Sequence, residues 1–263
     1  MSGFLQMNWY DTPEYYDVIY DAGTSEEADF LEAIHRRYVR SAGKQLLEPA
    51  CGTGRLVAEL AGRGFSLSGF DSSRAMLDYA RSRLRERGRR AELKDMDLAD
   101  FSFGRKKFDM AYCLVSSFRH LSTEKEAKRH LRLVAQSLRL GGLYVIGLLL
   151  TDYSDRAATL ESWVEERDGV QVHCNVKTWP ANRNSRTAQM RARLTVTEAG
   201  KRKRFECKWQ TRTYGPRQFR SFILAEPTLE IVGCHTFDYD MSVNVPLLND
   251  DRLDKVVVLR RLP

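Results

Sequence analysis

The segment Leu46-Leu47-Glu48-Pro49-Ala50-Cys51-Gly52-Thr53-Gly54-Arg55 lies where one periodicity gives way to another. Before it comes a short apolar run closed by the carboxylate of Glu48; after it, Arg55-Leu56-Val57-Ala58-Glu59-Leu60 takes up helical spacing. The segment therefore reads as strand, tight glycine turn, helix. Gly52 and Gly54 permit a sharp bend and let a ligand lie against bare main chain, where a Cβ would intrude. A dinucleotide site would carry a third glycine where Val57 stands. Glu48 would also repel a pyrophosphate, and it suits a ligand with a cationic end. The alternative is an unliganded glycine turn in an α/β fold.

Downstream, Phe65 to Asp71 alternates as a strand that ends in an acid, about 20 residues past the glycine loop, where a Rossmann-type fold holds ribose hydroxyls. Asp71 takes that role here, and Ser72-Ser73-Arg74-Ala75-Met76-Leu77 opens the next helix. Six arginines between Arg81 and Arg90 end that helix, with Gly88 as its C-cap. No aromatics interleave with them, so a solvated basic face is preferred to a nucleic-acid site. Ala91 to Lys94 is a third strand, Phe108 to Val115 a fourth and Leu143 to Leu150 a fifth, with a helix from Glu124 to Leu140 before Gly141-Gly142. Strands alternating with helices predict a parallel, doubly wound sheet.

From Ser162 to Thr213 the apolar residues alternate, with breaks at Ala181 to Ser185 and Ala199 to Lys201. This predicts a meander of about four antiparallel strands inserted after the fifth strand. A helix from Pro216 and strands at Leu229 to Asp238 and Lys255 to Leu262 complete the sheet.

These pieces, in this order, resemble class I S-adenosylmethionine-dependent methyltransferases: the E-x-A-C-G-T-G loop, the S-x-x-M-L helix start, the Asp97-Leu98 turn before Phe101, and Gly141-Gly142. The C-G-T-G loop, the Ser116-Ser117-Phe118-Arg119-His120-Leu121 wording and the meander are most similar to small-molecule N- and O-methyltransferases, including N,N-dimethyltransferases of nucleotide-linked amino sugars. One departure is Ala225-Glu226-Pro227-Thr228, where those enzymes have an Ala-Gly-Phe-like turn.

The resemblance implies a fold of class α/β, a Rossmann-like doubly wound seven-stranded sheet in the order 3-2-1-4-5-7-6, its last strand antiparallel, with the meander inserted. Residues 1–150 would hold an N-terminal lid and the S-adenosylmethionine-binding core, 151–215 the β subdomain, and 216–263 the rest of the core. S-adenosyl-L-methionine is the implied cofactor, with Glu48, Ala50, Cys51, Gly52, Gly54, Asp71, Ser72, Met76, Asp97, Leu98 and Leu114 as its site. Asp95-Met96 also fits the first two positions of the adenine motif, so Asp95 competes with Asp97, and Met76 is equally a core methionine.

Methyl transfer is an in-line displacement, so most of the rate comes from positioning; an acceptor that bears a proton must also lose it. His120, just past the fourth strand, is the candidate base, unless the backbone satisfies its ring. Tyr10 is the candidate for orienting the acceptor from an aromatic segment, Trp9 to Tyr20, that serves either as a lid or as a staple for the following helix, Glu26 to Arg40.

The chain carries a formal charge of +7, concentrated between Glu161 and Arg220, where 14 Lys and Arg face 6 Asp and Glu. Such an insert could attract an anionic acceptor or contact RNA. Absence of a base-amine loop or RNA module favours a small-molecule acceptor over a polynucleotide, and an RNA or protein methyltransferase is the second reading. A non-catalytic cofactor-binding module is the third reading, and a homodimer through the meander is a candidate assembly. The longest apolar run is too short for a bilayer, and the N-terminus is acidic where a signal peptide is basic, which predicts a cytoplasmic protein without a membrane span. Five scattered cysteines and histidines without ligand spacing predict no metal and no disulfide.

Overall fold

The computed structural model describes residues 3–247 and 252–263, so Met1, Ser2 and residues 248–251 of the ranges above lie outside the described residues. The chain opens with β1 (Leu5–Gln6), a short 3-10 turn at Trp9–Asp11, α1 (Pro13–Tyr20) and α2 (Thr24–Tyr38). The alternating core follows: β2 (Gln45–Pro49), α3 (Arg55–Gly62), β3 (Ser66–Asp71), α4 (Arg74–Glu86), β4 (Ala91–Asp95), β5 (Phe108–Cys113), α5 (Glu124–Ser137) and β6 (Leu138–Leu149). The insert holds β7 (Thr159–Arg167), β8 (Val170–Thr178), β9 (Thr187–Glu198) and β10 (Lys201–Arg212), after which α6 (Pro216–Leu224), β11 (Leu229–His235) and β12 (Asp254–Arg261) return to the core.

The core is a mixed sheet of seven strands in the order β11-β12-β6-β5-β2-β3-β4. The neighbours from β6 to β4 are parallel, and β12 runs antiparallel to both β11 and β6. Because side chains alternate across a strand, consecutive residues of β5 feed opposite layers. Met110 and Tyr112 face α2, α3 and α4, with Phe30, Leu31, Ile34 and Leu77. Ala111 and Cys113 face α5 and α6, with Leu131, Val134, Phe219 and Ile223.

Several boundaries differ from expectation, two of them at helix ends. α5 stops at Ser137, because Leu138 turns extended and pairs with Phe108, so β6 begins five residues before Leu143 and passes through Gly141 at φ +76°. α2 starts at Thr24 behind Gly23, with no side-chain cap from Ser25, and ends at Tyr38.

The insert and β1 form a second sheet, β1-β10-β9-β8-β7. Two of its hairpins close on two-residue turns with positive φ at both positions, Asp168-Gly169 and Ala199-Gly200, which match the twist of the paired strands. One face, with Val172, Cys174, Val176, Leu194 and Val196, packs on Trp9, Tyr15, Val18 and Ile19. The N-terminal segment thus belongs by packing to the insert rather than to the seven-stranded layer. Fully buried Asp17 on α1 pins it to both, accepting from Arg83 of α4, from Tyr79 Oη at 3.1 Å and from Arg167 of β7 at 2.7 Å.

Candidate active site

Strands β2, β3 and β4 end side by side, as parallel pairing requires, and their carboxyl ends open on one cavity of about 320 Å³. Ala50, Asp71, Ser72, Asp97 and Leu98 line it, so side chains spread over 49 positions share one wall.

Asp71 is the anchor of the glycine loop. One carboxylate oxygen accepts the amide of Gly52 at 2.9 Å and the other that of Ser73 at 2.9 Å. Both oxygens keep lone pairs for further donors. Burial raises its pKa, and those amide bonds pull it back down. Gly52, at φ +50°, has open space where a Cβ would project, so a ligand can lie flat against its backbone.

Gly54 differs in function from the reading of the loop given above. A Cβ there would stand 2.7 Å from the Cβ of Ala80, so this glycine serves the approach of α3 to α4, at φ +68°. Cys51 is also turned inward. Its side chain packs against Gly69, and its amide donates to the carbonyl of Phe70 at 3.0 Å.

Glu48, next to last in β2 and behind the loop, is on neither cavity wall; it is 8% exposed and accepts the Tyr112 hydroxyl at 3.1 Å. Arg55, whose helix starts at the glycine turn, gives its charge to Glu27 at 2.8 Å instead. Burial therefore dominates and pushes the Glu48 carboxyl up to about 8, with Arg55 and Tyr112 opposing. A carboxyl so poised fits a cationic ligand, whose charge would favour the ionised form.

At the third strand end, Asp97 lies on the cavity wall and accepts the amide of Ala99 at 2.6 Å. Asp95 sits at the end of β4 opposite Asp71 in the ladder and is not on that wall. Beneath the turn, fully buried His130 bonds the carbonyl of Leu98 through Nδ1 at 2.7 Å and the hydroxyl of Tyr144 through Nε2 at 2.6 Å. Burial holds its imidazole down to about 4, which keeps it neutral and able to make both bonds. His130 carries no sequence signal beyond its place on the apolar face of α5, and the motif reading passed over it. Met76 is fully buried and Leu114 nearly so, and neither is on either cavity wall, so their side chains belong to the core.

A second cavity of about 460 Å³ adjoins the first, walled by the N-terminal segment, residues 115–120 and the inner face of the insert. His120 lines both cavities. Its Nε2 is 3.1 Å from the hydroxyl of Tyr10, 110 positions earlier, and the carbonyl of Tyr10 accepts from Ser73 of the α4 N-cap at 3.2 Å. Burial, then the charge of Arg119, push the His120 imidazole below its ordinary value, although its edge opens to the cavities. Burial raises the Tyr10 hydroxyl to about 12.

Tyr10, Tyr16, Tyr20, Trp9 and Trp209 form a continuous aromatic wall, with ring centroids 4.5 to 6.1 Å apart. No lysine or arginine of the insert is among the described residues on this wall. The insert's basic side chains pair elsewhere: Arg193 and Lys208 with Glu206 at 2.8 and 2.9 Å, and Arg186 with Glu124 at 2.8 Å.

Residues 46–142 match the family described as a methyltransferase domain, which is the stretch that builds the smaller cavity. Residues 46–142 thus read as a methyltransferase domain, in a fold that fits the class I S-adenosylmethionine-dependent methyltransferases. This methyltransferase is 27% identical, over 73% of its length and 78% of the relative's, to dTDP-3-amino-3,4,6-trideoxy-alpha-D-glucopyranose N,N-dimethyltransferase of Streptomyces venezuelae. It is 33% identical to dTDP-3-amino-3,6-dideoxy-alpha-D-glucopyranose N,N-dimethyltransferase of Streptomyces fradiae, spanning about half of each chain at 51%. Its fold follows the S-adenosylmethionine-bound amino pentose methyltransferase CalS10 of Micromonospora echinaspora, with a TM-score of 0.72, 20% identity and coverage of 99% of this chain and 100% of that one. No helix among the described residues is long and apolar enough to cross a membrane, and no described cluster of His, Cys, Asp or Glu could hold a metal ion.

Proposed function

We propose that this methyltransferase methylates a nitrogen or oxygen of a small molecule held in the larger, aromatic cavity, with an amine as the preferred acceptor. The observation that carries the reading is His120, which stands on the wall common to both cavities, where a nucleophile and a methyl group would meet. Bound S-adenosylmethionine supplies an electrophilic methyl on a sulfonium. Under this reading Asp71 accepts from ribose hydroxyls and Asp97 and Leu98 hold the base, while Glu48 acts on the cationic amino-acid end from behind the loop. Ala50 and Ser72 shape the wall and Gly52 offers bare backbone, while Gly54, Cys51, Met76 and Leu114 support it through packing.

The depressed pKa leaves His120 neutral at pH 7 and able to accept a proton. Tyr10 keeps its own proton, so in the tautomer whose Nε2 accepts, the hydroxyl donates to His120 while its oxygen receives a hydrogen bond from the acceptor. The pair can thus relay one proton away from the attacking atom. The aromatic wall suits an amine, because ring faces attract ammonium and methylammonium groups, and the amino-sugar relatives support the same class. The size of the cavity, about 460 Å³, supports a small molecule over RNA or protein.

The reading is tested by S-adenosylhomocysteine release from a panel of small amines and alcohols. His120→Ala should lower turnover by about a hundredfold or more while cofactor affinity stays within about threefold. Wild-type turnover in that variant would remove His120 as the base.

Three further points belong to the proposal. The division at residues 150 and 215 is taken as cofactor core, acceptor insert and returning core. A second copy of the chain is proposed to cover exposed Leu160 and Val164 on β7, which light scattering would test. Five buried, unbonded cysteines support a cytoplasmic location.

A further inference from the structure

Four arginines among the described residues are buried. Three of them meet carboxylates: Arg55 meets Glu27 at 2.8 Å, Arg83 meets Asp21 at 2.9 Å and also Asp17, and Arg212 meets Glu124 at 3.5 Å. Arg119 does not. It is 6% exposed, and its Nε and Nη2 donate to neutral acceptors, the carbonyl of Arg212 at 3.1 Å and the hydroxyl of Thr211 at 3.0 Å. Nη1 has no acceptor among the described residues, and the side chain lines the larger cavity. A desolvated guanidinium without a counter-charge is costly, and the cost is visible in a pKa that burial lowers to about 10.

Other charges on the same wall do not cancel it. Asp152, Asp155 and Glu161 are exposed, and Asp152 and Asp155 accept the amides of Ser154 and Ala157 in their own loop, at 2.7 and 2.9 Å. Solvent screens such carboxylates, whereas the buried guanidinium acts at close range. Next to Arg119, His120 offers a neutral ring, so the guanidinium supplies the fixed positive charge at this end of the cavity.

We propose that Arg119 is a specificity-determining residue that reads an oxyanion, carboxylate or phosphoryl, on the acceptor. The acceptor would then carry an amine at the aromatic wall and an anionic group at Arg119. This rests on the larger cavity being the acceptor site. The fork geometry of a guanidinium matches two oxygens of either anion, and its two structural bonds hold it in place beforehand.

All four tryptophans of the chain, Trp9, Trp163, Trp179 and Trp209, line this cavity, so intrinsic fluorescence reports its occupancy without any turnover. The probes are benzylamine, 4-(aminomethyl)benzoate and 4-(aminomethyl)phenylphosphonate, titrated into the full chain with S-adenosylhomocysteine present. Wild-type protein should bind at least one anionic probe about tenfold or more tightly than benzylamine, and the favoured probe identifies the anion. Arg119→Gln should erase that preference and leave benzylamine affinity unchanged. Arg119→Lys should keep part of it, and Thr211→Val, which breaks a brace but keeps the charge, should keep it. The proposal is overturned by a wild-type protein that binds the three probes alike or binds none. It is equally overturned by an unchanged preference in Arg119→Gln, or by its loss in Thr211→Val, which marks a structural brace. A fluorescence preference without S-adenosylhomocysteine release from any acceptor would count against the proposed reaction and leave the Arg119 assignment standing.

Discussion

The proposed place of Glu48 near the cationic end of the cofactor predicts that cofactor affinity varies with pH, with a size set by the burial of its carboxyl. With its carboxyl raised from 4.5 to about 8, Glu48 is about one-tenth ionised at pH 7 in the free protein. A cation bound beside it favours the carboxylate, so binding should release close to one proton at pH 7. Affinity should then rise about tenfold per unit from pH 6 towards 8. Above about 8 it should fall again as the α-amino group of the cofactor loses its own proton. The maximum therefore lies near pH 8.

The stability of the free protein runs the other way. An acid whose folded pKa is raised stabilises the fold fully below its unfolded value of 4.5, and that contribution disappears as pH rises through about 8. At pH 7 the gap from 4.5 spans 2.5 units, a penalty on the order of 3 kcal/mol. Glu48→Gln removes it, so the variant should melt several degrees higher than the parent at pH 7 without cofactor. It should also bind S-adenosylhomocysteine about tenfold to a hundredfold more weakly, without the pH slope. Calorimetric titration in buffers of different ionisation enthalpy measures affinity and proton release together. A dissociation constant flat from pH 6 to 8, or a Glu48→Gln variant with wild-type affinity, would refute the reasoning.

Two other substitutions separate packing from binding. Gly54→Ala puts a methyl against Ala80 at a left-handed φ and should cost about 1–3 kcal/mol, read as a lower melting temperature; an unchanged melt would contradict the tight approach of α3 to α4. His130→Phe leaves the Leu98 carbonyl and the Tyr144 hydroxyl unpaired and should raise the KM for S-adenosylmethionine about tenfold with a smaller change in kcat. His130→Gln, which can bond both groups, should recover part of that loss.

The wall of the smaller cavity was legible because its signals are local. The period change at Gly52, the acid closing β3 and the Asp97-Leu98 turn are each written in a few neighbouring residues, and parallel strand order brings their ends together. Side-chain direction was not legible. Nothing in the C-G-T-G wording says that Cys51 packs on Gly69 or that Gly54 meets Ala80, since both facts depend on how close two helices and a strand approach. The acceptor half depends on contacts between distant segments. Tyr10 and His120 were each nominated by position, but their hydrogen bond exists only because the N-terminal segment packs on the insert. Charge counting also misled: Arg193 and Lys208 of the insert pair with Glu206 away from the cavity, while Arg119, one arginine among many in the sequence, is the one of the four buried arginines among the described residues without a carboxylate.

The two-residue hairpins of the insert have a consequence for how such a protein changes over time. Strands joined by tight local turns hold their register through nearest neighbours, so a residue on the cavity face can be exchanged while the pairing survives. The groups proposed to grip the cofactor all lie between positions 48 and 98, on other strands. New acceptors can therefore be sampled by drift in one layer while the methyl donor keeps its berth in the other.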